Sequence, residues 1–210
     1  MKLLIIGGTG KTGRELIKQG LARGHEITAL VRKPDKIVFT HKNLTLIKGN
    51  VLNPESLEKV MSGKEAVLSA LGHKKFIIKT TILSRGTQNI IAAMKANKVK
   101  RFICITSLGI NDSKYKLGIY YTLFTIPVIL YFYFRDKSRQ EKLIMKSDLD
   151  WTIVRPGQLT NGRMRAIYKP SLNAGHSILT KMISRADVAH FILDTLDRND
   201  YLKKAVGLTY

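Results

Sequence analysis

Short apolar runs recur along the chain, and most of them are continuous instead of alternating with polar residues. A continuous apolar run is typical of a strand that is covered on both faces, as the strands of a parallel sheet are. We therefore predict buried strands at residues 3–6, 27–31, 44–47, 66–68, 102–105 and 151–154.

Helix-like segments separate these runs, at about 12–24, 54–62, 79–97 and 135–147. Repeated alternation of strand and helix predicts an α/β fold with a doubly wound parallel sheet. Asn53-Pro54 marks the start of one helix, and Ser184 and Asp187 have capping-box spacing before the last. We find no linker or repeat, so we expect a single domain over 1–210, with a small cap from about 157–180 over the strand ends.

One stretch, 117–134, has no charged residue and reaches the length of a membrane span. Pro127 interrupts it, and a crossing would put the strands at 102–105 and 151–154 on opposite sides of a bilayer, although we assign both to one sheet. We expect an apolar lid or packing helix and no transmembrane span. Its tyrosines also suit a weak contact with a membrane surface or a dimer contact; they are Tyr120, Tyr121, Tyr131 and Tyr133.

The chain is strongly basic, with 36 Lys and Arg against 15 Asp and Glu and a formal net charge of +21. Such a charge favours anionic partners and speeds the capture of a phosphorylated ligand. The basic residues are spread along the chain, without an arginine-rich tail or an aromatic-basic module. We therefore expect no specific nucleic-acid binding.

The remaining candidate chemistry is sparse. The single cysteine, Cys104, lies in an apolar run, so we expect a buried structural thiol. The histidines have no metal-ligand spacing, and we predict no metal, although His73 follows a strand end where ligands gather. The first strand begins at residue 3, which leaves no room for a signal peptide, and we expect a cytoplasmic protein.

The strongest motif is a glycine-rich turn, Gly7-Gly8-Thr9-Gly10-Lys11-Thr12-Gly13, between the first strand and an amphipathic helix. In a dinucleotide-binding fold of the Rossmann type, the first glycine permits a tight turn and the second lets backbone amides approach a pyrophosphate. The third lets the helix pack closely on the strand. We predict a dinucleotide site here; a tight turn without a ligand is the alternative.

The second strand ends in Arg32 and Lys33, where an NAD-specific fold presents a carboxylate to the adenosine 2′-hydroxyl. A guanidinium binds a 2′-phosphate through two hydrogen bonds, and a lysine adds charge. The sequence therefore favours NADP(H) over NAD(H). The alternative is a pair of exposed basic residues in an already basic protein.

The residues that suggest a family lie in the segments 7–13, 29–32, 49–52, 89–95, 152–157 and 183–189. Together they resemble the atypical short-chain dehydrogenases that include NADPH-dependent flavin reductase, also known as biliverdin-IXβ reductase, and bacterial NAD(P)H-binding proteins of the NADH-flavin reductase type. The resemblance covers nearly the whole chain and is weakest over 110–135.

The resemblance implies a set of cofactor contacts and a reaction. Residues from Thr9 to Thr12 would hold the pyrophosphate, and Arg32 the 2′-phosphate. Asn50 and Val51 would contact the adenine, and relatives often carry Asp at the position of Asn50. Leu71 and Gly72 would border the nicotinamide ribose, and Ser107 would lie beside the nicotinamide. Pro156, Gly157 and Gln158 would surround its carboxamide. The implied reaction is hydride transfer to a flavin, FMN or FAD, or to a similar flat acceptor such as a quinone.

Tyr133 and Lys137 have the spacing of the catalytic pair of many short-chain dehydrogenases, with Ser107 as a third member and Glu141 four residues on. An ammonium one helical turn from a phenol lowers the pKa of the phenol. Coincidence is the alternative in a run this rich in aromatics, and the flavin reductases lack the pair. A small-carbonyl dehydrogenase and a redox-sensing regulator without turnover therefore stay open, as do a monomer and a homodimer.

Overall fold

The structure is a computed structural model that describes residues 1–73, 77–113, 130–172 and 182–210. Its strands are β1 (Lys2–Ile6), β2 (Glu26–Val31), β3 (Leu44–Lys48), β4 (Ala66–Ser69), β5 (Arg101–Ile105), β6 (Asp150–Pro156), β7 (Gln158–Thr160), β8 (Lys169–Ser171), β9 (Met182–Ser184) and β10 (Lys204–Thr209). Its α-helices are α1 (Lys11–Ala22), α2 (Pro54–Met61), α3 (Ile82–Ala96), α4 (Tyr131–Met145) and α5 (Arg185–Asp194). The predicted α/β fold of the Rossmann type is confirmed.

The main sheet has eight strands in the order β3-β2-β1-β4-β5-β6-β10-β8. All pairs are parallel except the edge pair, in which β8 runs antiparallel to β10. The chain moves outward from β1 to β3, returns to β4 on the other side of β1, and continues outward. The order therefore reverses between β1 and β4, and open α/β sheets bind ligands at the carboxyl ends of the strands at such a reversal.

Helices cover both faces of the sheet, which explains the continuous apolar runs. In β1, Leu3 and Ile5 belong to the core on one face, whereas Leu4 and Ile6 belong to the core on the other face. Because successive side chains of a strand point to opposite faces, a strand buried on both sides needs apolar residues throughout. The core with Leu3 includes apolar residues of α1 and α5, and the core with Leu4 includes residues of α2, α3 and α4.

The six predicted strands are all present, but β3, which was expected to be buried, is an edge strand with no buried residue, because only one neighbouring strand covers it. Four strands in the described part of the chain were missed. Among them, β10 pairs with β6 in parallel and lies between β6 and the edge strand β8, although a glycine at 207 interrupts its apolar pattern. The other three have three residues each. The predicted helix at 135–147 is wrong at its start, because α4 begins at Tyr131.

Both helix-start signals have structural counterparts. The Asn53 side chain accepts a hydrogen bond from Glu55 N at 3.1 Å, and proline follows at the first helical position of α2. Ser184 Oγ accepts from Asp187 N at 2.9 Å. The return bond of a capping box is not made in the usual way, because Ser184 N donates to the Tyr210 hydroxyl.

Two regions of particular interest are described only in part. Of the segment expected to form a cap, Gln158–Thr160 pairs in parallel with Met182–Ser184, and Lys169–Ser171 joins the main sheet. Residues 173–180 lie outside the described part of the chain. Of the apolar stretch, 117–129 are also outside it, including Tyr120 and Tyr121. Among the residues that are described, no helix is long and apolar enough to cross a membrane.

Candidate dinucleotide-binding site

The predicted cofactor-contacting residues follow the carboxyl ends of six parallel strands and therefore meet at one edge of the sheet, whereas Tyr133 and Lys137 lie in α4. They are Gly7 to Gly13 after β1, Arg32 and Lys33 after β2, Asn50 and Val51 after β3, Leu71 and Gly72 after β4, Ser107 after β5, and Pro156 to Gln158 at the end of β6. The loops after β1 and β4 are in contact, since a Cβ added at Gly7 would lie 2.5 Å from the carbonyl oxygen of Ala70.

The three glycines of the turn, Gly7, Gly10 and Gly13, are needed for different physical reasons. Gly7 has φ +84°, a conformation that favours glycine, and a Cβ at Gly13 would lie 2.2 Å from the Gly7 carbonyl oxygen. The fold itself therefore requires both residues. Gly10 is exposed, and its added Cβ would meet only Gly7 O, at 3.2 Å. The missing side chain at Gly10 mainly leaves the turn open to a ligand.

The turn leads into a helix terminus that suits an anion. The first helical bond of α1 runs from Arg14 N to Gly10 O, at 2.9 Å, so the amides of Lys11, Thr12 and Gly13 precede the first intrahelical donor. The first turn contains no acidic residue, and the Lys11 and Arg14 side chains are exposed. Free amides, a helix dipole and these cations fit a pyrophosphate.

The β2 and β3 loops supply a cationic rim and an apolar wall. Arg32 and Lys33 are exposed. Val51 is buried, and a Cβ at Gly86 of α3 would lie 2.9 Å from Val51 Cγ2 and 3.1 Å from Leu71 Cδ2, so these side chains pack together. Neighbouring Asn50 is exposed and accepts a hydrogen bond from Leu52 N at 3.1 Å.

Asn89 is a positioning residue to which the sequence assigned no role. Its Nδ2 atom donates to the Val51 carbonyl oxygen at 2.9 Å and so holds the loop after β3 against α3. A polar residue inside an otherwise amphipathic helix is a weak signal, because it also suits a solvent-facing position. Only the packing of α3 beside the loop after β3 shows its role.

The loop after β4 meets the start of α4. A Cβ at Gly72 would lie 3.7 Å from the Tyr133 hydroxyl, which places that hydroxyl at the carboxyl edge of the sheet. The Tyr133 ring packs edge-on against His73, with centroids 4.8 Å apart, and His73 Nε2 is 3.0 Å from Thr80 Oγ1. Lys137 is buried, with Nζ 5.3 Å from the Tyr133 ring centroid. The structure thus brings Tyr133 and Lys137 together near Gly72.

Ser107 lies between the ends of β5 and β6. Its Oγ atom donates to the neighbouring Leu108 carbonyl oxygen at 2.9 Å, and Leu108 N donates to Pro156 O at 3.2 Å. Gly157 is buried and Gln158 is exposed. Ser107 is therefore beside the loop after β6, but no described contact joins it to the Tyr133 and Lys137 pair.

Glu141 has a structural environment that the sequence pattern did not predict. Its carboxylate is fully buried and accepts from Arg155 Nε at 2.9 Å and Nη2 at 2.7 Å, from Thr106 Oγ1 at 2.6 Å and from Asn111 Nδ2 at 2.8 Å. Arg155 also bonds both carboxylate oxygens of Asp112. Burial alone would lower the pKa of Arg155, but these hydrogen bonds raise it. The network joins α4 to the ends of β5 and β6.

Cys104 is fully buried, as the sequence predicted. Burial raises the pKa of its thiol to about 12, which disfavours the thiolate. Within the ranges that the structure describes, no group of three or more His, Cys, Asp or Glu side chains could hold a metal ion.

A family model for NAD(P)H-binding proteins matches residues 7–199, nearly the whole chain. The chain belongs to the NAD(P)H-binding family. It is 30% identical over 175 residues to an uncharacterised chloroplastic protein of Arabidopsis thaliana, covering 76% of this chain and 60% of that protein. It is 24% identical over 214 residues to the photosystem II assembly factor Ycf39 of Synechocystis, and the match covers 97% of this chain and 61% of that protein.

This family member thus spans less than two thirds of the length of those two relatives. Another relative has a similar size. A UPF0659 protein of Saccharomyces cerevisiae is 28% identical over 220 residues, covering 99% of this chain and 92% of the yeast protein.

Solved structures of similar proteins share the fold. A Rossmann-fold NAD(P)-binding protein from Shigella flexneri is 28% identical, with a TM-score of 0.76, covering 100% of this chain and 93% of that one. ChuY, an anaerobillin reductase from Escherichia coli O157:H7, is 20% identical with a TM-score of 0.82, covering 100% and 97%. A short-chain dehydrogenase/reductase from Veillonella parvula in complex with NADP is 20% identical with a TM-score of 0.80, covering 100% and 94%. The chain therefore has the Rossmann-type fold of an NAD(P)H-binding family.

Proposed function

We propose that this protein is an NAD(P)H-dependent reductase that prefers NADP(H) to NAD(H) and passes hydride to a flavin, FMN or FAD, or to a similarly flat acceptor such as a quinone. One observation supports the proposal most strongly: at the carboxyl edge of the sheet, an open glycine turn leads into the N-terminus of α1, and the exposed cations Arg32 and Lys33 follow the neighbouring strand β2. The neighbours give coarser support, since one is a complex with NADP and another is a reductase.

In this proposal, the residues after β1, β2 and β3 bind the adenosine half of the cofactor. The amides from Lys11 to Gly13 bind the pyrophosphate, and Arg32 and Lys33 bind the 2′-phosphate. Val51, held by Asn89 and packed on α3, provides apolar contact for the adenine.

The residues after β4, β5 and β6 orient the reactive half. Leu71 and Gly72 border the ribose, and Ser107 with Pro156 to Gln158 positions the nicotinamide. The reduced cofactor, when bound, supplies the hydride, and the protein supplies orientation. A reduced flavin can take its proton from solvent, so this reaction needs no acid from the chain.

A second candidate, carbonyl reduction, is favoured by the geometry of Tyr133. Its hydroxyl is near Gly72, and Lys137, one helical turn further along α4, has Nζ 5.3 Å from the centroid of the Tyr133 ring. In that reaction Tyr133 would donate a proton to the carbonyl oxygen of the acceptor, and the Lys137 ammonium would stabilise the phenolate that remains. Ser107, whose hydroxyl donates to the Leu108 carbonyl oxygen, would have to give up that bond to donate to the acceptor.

Turnover separates the candidates. The purified chain should oxidise NADPH with FMN, riboflavin or a soluble quinone, and should do so less efficiently with NADH. Oxidation only with small aldehydes would favour the Tyr133 mechanism. Cofactor binding without turnover of any acceptor would favour a regulator.

A further inference from the structure

Arg14 bridges the two loops that would enclose the adenosine ribose. It is in the first turn of α1, directly after Gly13, and its Nη2 atom donates to the Lys36 carbonyl oxygen at 2.8 Å. Lys36 ends the short 3₁₀ turn Pro34–Lys36, which follows Arg32 and Lys33 after β2. The side chain therefore crosses from the loop after β1 to the loop after β2.

The position of this bridge follows from the sheet. β1 and β2 are neighbours in parallel register, with Ile6 beside Leu30, so their following loops lie side by side beyond the carboxyl edge. In a dinucleotide-binding fold, the chain of the cofactor passes from the helix terminus after β1 to the end of β2. Arg14 therefore lies beside the path that the adenosine ribose would take between the two loops, an argument that rests on the function proposed above.

The charge beside this path is well suited to a phosphate. The segments on both sides of it carry exposed cations, at Lys11, Arg14, Arg32, Lys33 and Lys36. In the described part of the chain, no carboxylate forms an ion pair with Arg14, and Asp35 is the one acid within the turn after β2. A guanidinium has five N–H donors and the bond to Lys36 uses one of them, so most of the fork can serve a ligand.

We propose that Arg14 is a second residue that binds the 2′-phosphate of NADP(H) and that, together with Arg32, it determines the preference for the phosphorylated cofactor. The bond to Lys36 O holds the long side chain in place before the cofactor arrives. A preorganised guanidinium loses less conformational freedom on binding than a free one.

Arg14→Met tests this proposal through binding alone. The probes are NADPH and NADH, titrated by fluorescence against the full chain. Losing one charge-assisted contact should raise the Kd for NADPH by about 10-fold to 100-fold. The Kd for NADH, which has a hydroxyl at the same position, should change less than about twofold, and the melting temperature should stay unchanged. Arg14→Lys should give an intermediate loss because it keeps the charge without the fork.

Lys18→Met is the matched control, since Lys18 is exposed on the same helix, one turn further on, and its loss changes the net charge equally. A similar NADPH loss in Lys18→Met would show a long-range charge effect and overturn the proposal. Equal losses of NADPH and NADH in Arg14→Met would show that Arg14 only ties the loops together, and an unchanged NADPH affinity would also overturn its role. If the unaltered chain bound neither cofactor, the proposed function and this inference would both fail.

Discussion

At the scale of single residues, the three glycines of the turn look equivalent in the sequence but meet different requirements in the structure. Gly7 and Gly13 are needed for the backbone itself, because a side chain at either would meet main-chain atoms within 2.5 Å. Gly10 has an extended backbone, φ −73° and ψ 160°, that any residue can adopt. Its role therefore depends on a ligand, which makes it the best position at which to test binding without unfolding the chain.

Gly10→Val should abolish dinucleotide binding while the chain stays folded, because the branched side chain would keep a pyrophosphate away from the helix amides. Titration with NADPH and a far-UV circular dichroism spectrum measure the two effects. Gly13→Ala is the contrasting variant, since its Cβ would overlap Gly7 O, and it should lower the free energy of unfolding by about 1–3 kcal/mol. Cofactor affinity that survives in a folded Gly10→Val variant would refute the assigned site.

Arg32→Asp should weaken NADPH binding by about 1.5–3 kcal/mol and leave NADH binding nearly unchanged, because it replaces a phosphate ligand with a repelling charge. The two Kd values should be measured side by side at one ionic strength, since exposed charges are screened by salt. Equal losses for both cofactors would show that Arg32 does not contact the 2′-phosphate.

Tyr133→Phe should keep most of the turnover with FMN at saturating NADPH, because the ring and its packing on His73 remain and flavin needs no protein acid. A fall of about 100-fold or more, the usual effect of removing a general acid, would instead support proton donation by Tyr133. Ser107→Ala is the internal control, since a residue that positions the nicotinamide should weaken turnover in either mechanism.

At the scale of elements, α4 provides the N-terminal cap of α3. The Asp136 carboxylate is buried and accepts hydrogen bonds from Leu83 N at 2.9 Å, from Ser84 N at 3.2 Å and from Ser84 Oγ. Thr81, at the local capping position, makes no side-chain cap bond. Because Asp136 lies between Tyr133 and Lys137 on the same helix, the cap also holds that pair beside the loop after β4.

Asp136→Ala should lower the free energy of unfolding by about 1–3 kcal/mol, because it leaves buried amides at the start of α3 without an acceptor. Urea unfolding followed by circular dichroism gives this value. Asn53→Ala is the matched variant, since it removes an exposed, local cap from α2, and it should cost about 1 kcal/mol. If Asp136→Ala lowered the free energy of unfolding no more than Asn53→Ala, the prediction that the buried cap between α3 and α4 stabilises the chain more than an exposed local cap would be wrong.

At the scale of the whole molecule, one buried carboxylate joins three distant parts of the chain. Asp187, at the start of α5, accepts from Arg165 N at 2.9 Å, from Ala166 N at 2.8 Å and from the Tyr210 hydroxyl at 2.6 Å. It also accepts from Ser184 Oγ at 2.7 Å. Burial by itself would raise the pKa of Asp187, but these hydrogen bonds lower it below its usual value.

A lowered pKa makes this connection sensitive to acid. As the pH falls, Asp187 is protonated first in the unfolded chain, at the ordinary aspartate pKa of about 3.9. The Asp187 carboxylate therefore stabilises the folded chain above that pH, and this stabilisation is lost as the pH falls through the lower pKa of the folded state. Asp187→Asn should therefore be less stable than the unaltered chain at pH 5–7, with a difference that narrows below about pH 4. Urea unfolding at pH 3, 4, 5 and 7 tests this; a difference that widens with acid would contradict it.

The parts of the fold that depend on local pattern were predictable. Six strands, five of them largely buried, the glycine turn after β1 and the Asn53 cap all follow from residues within a few positions of one another, whose backbone preferences and side-chain periodicity act locally. β10 was not predicted because a glycine breaks its apolar pattern, and its burial depends on β6 beside it.

The amino-acid sequence by itself determined the class of fold and the edge of the sheet at which the candidate site residues meet, since parallel strands bring their carboxyl ends together. The tertiary structure decided which side chains meet at that edge: Asp136 with the start of α3, Arg155 with Glu141, and Arg14 with the turn after β2. These partners are separated by many residues in the chain. Their contacts depend on how whole helices and strands pack, and no local preference of either partner encodes that packing.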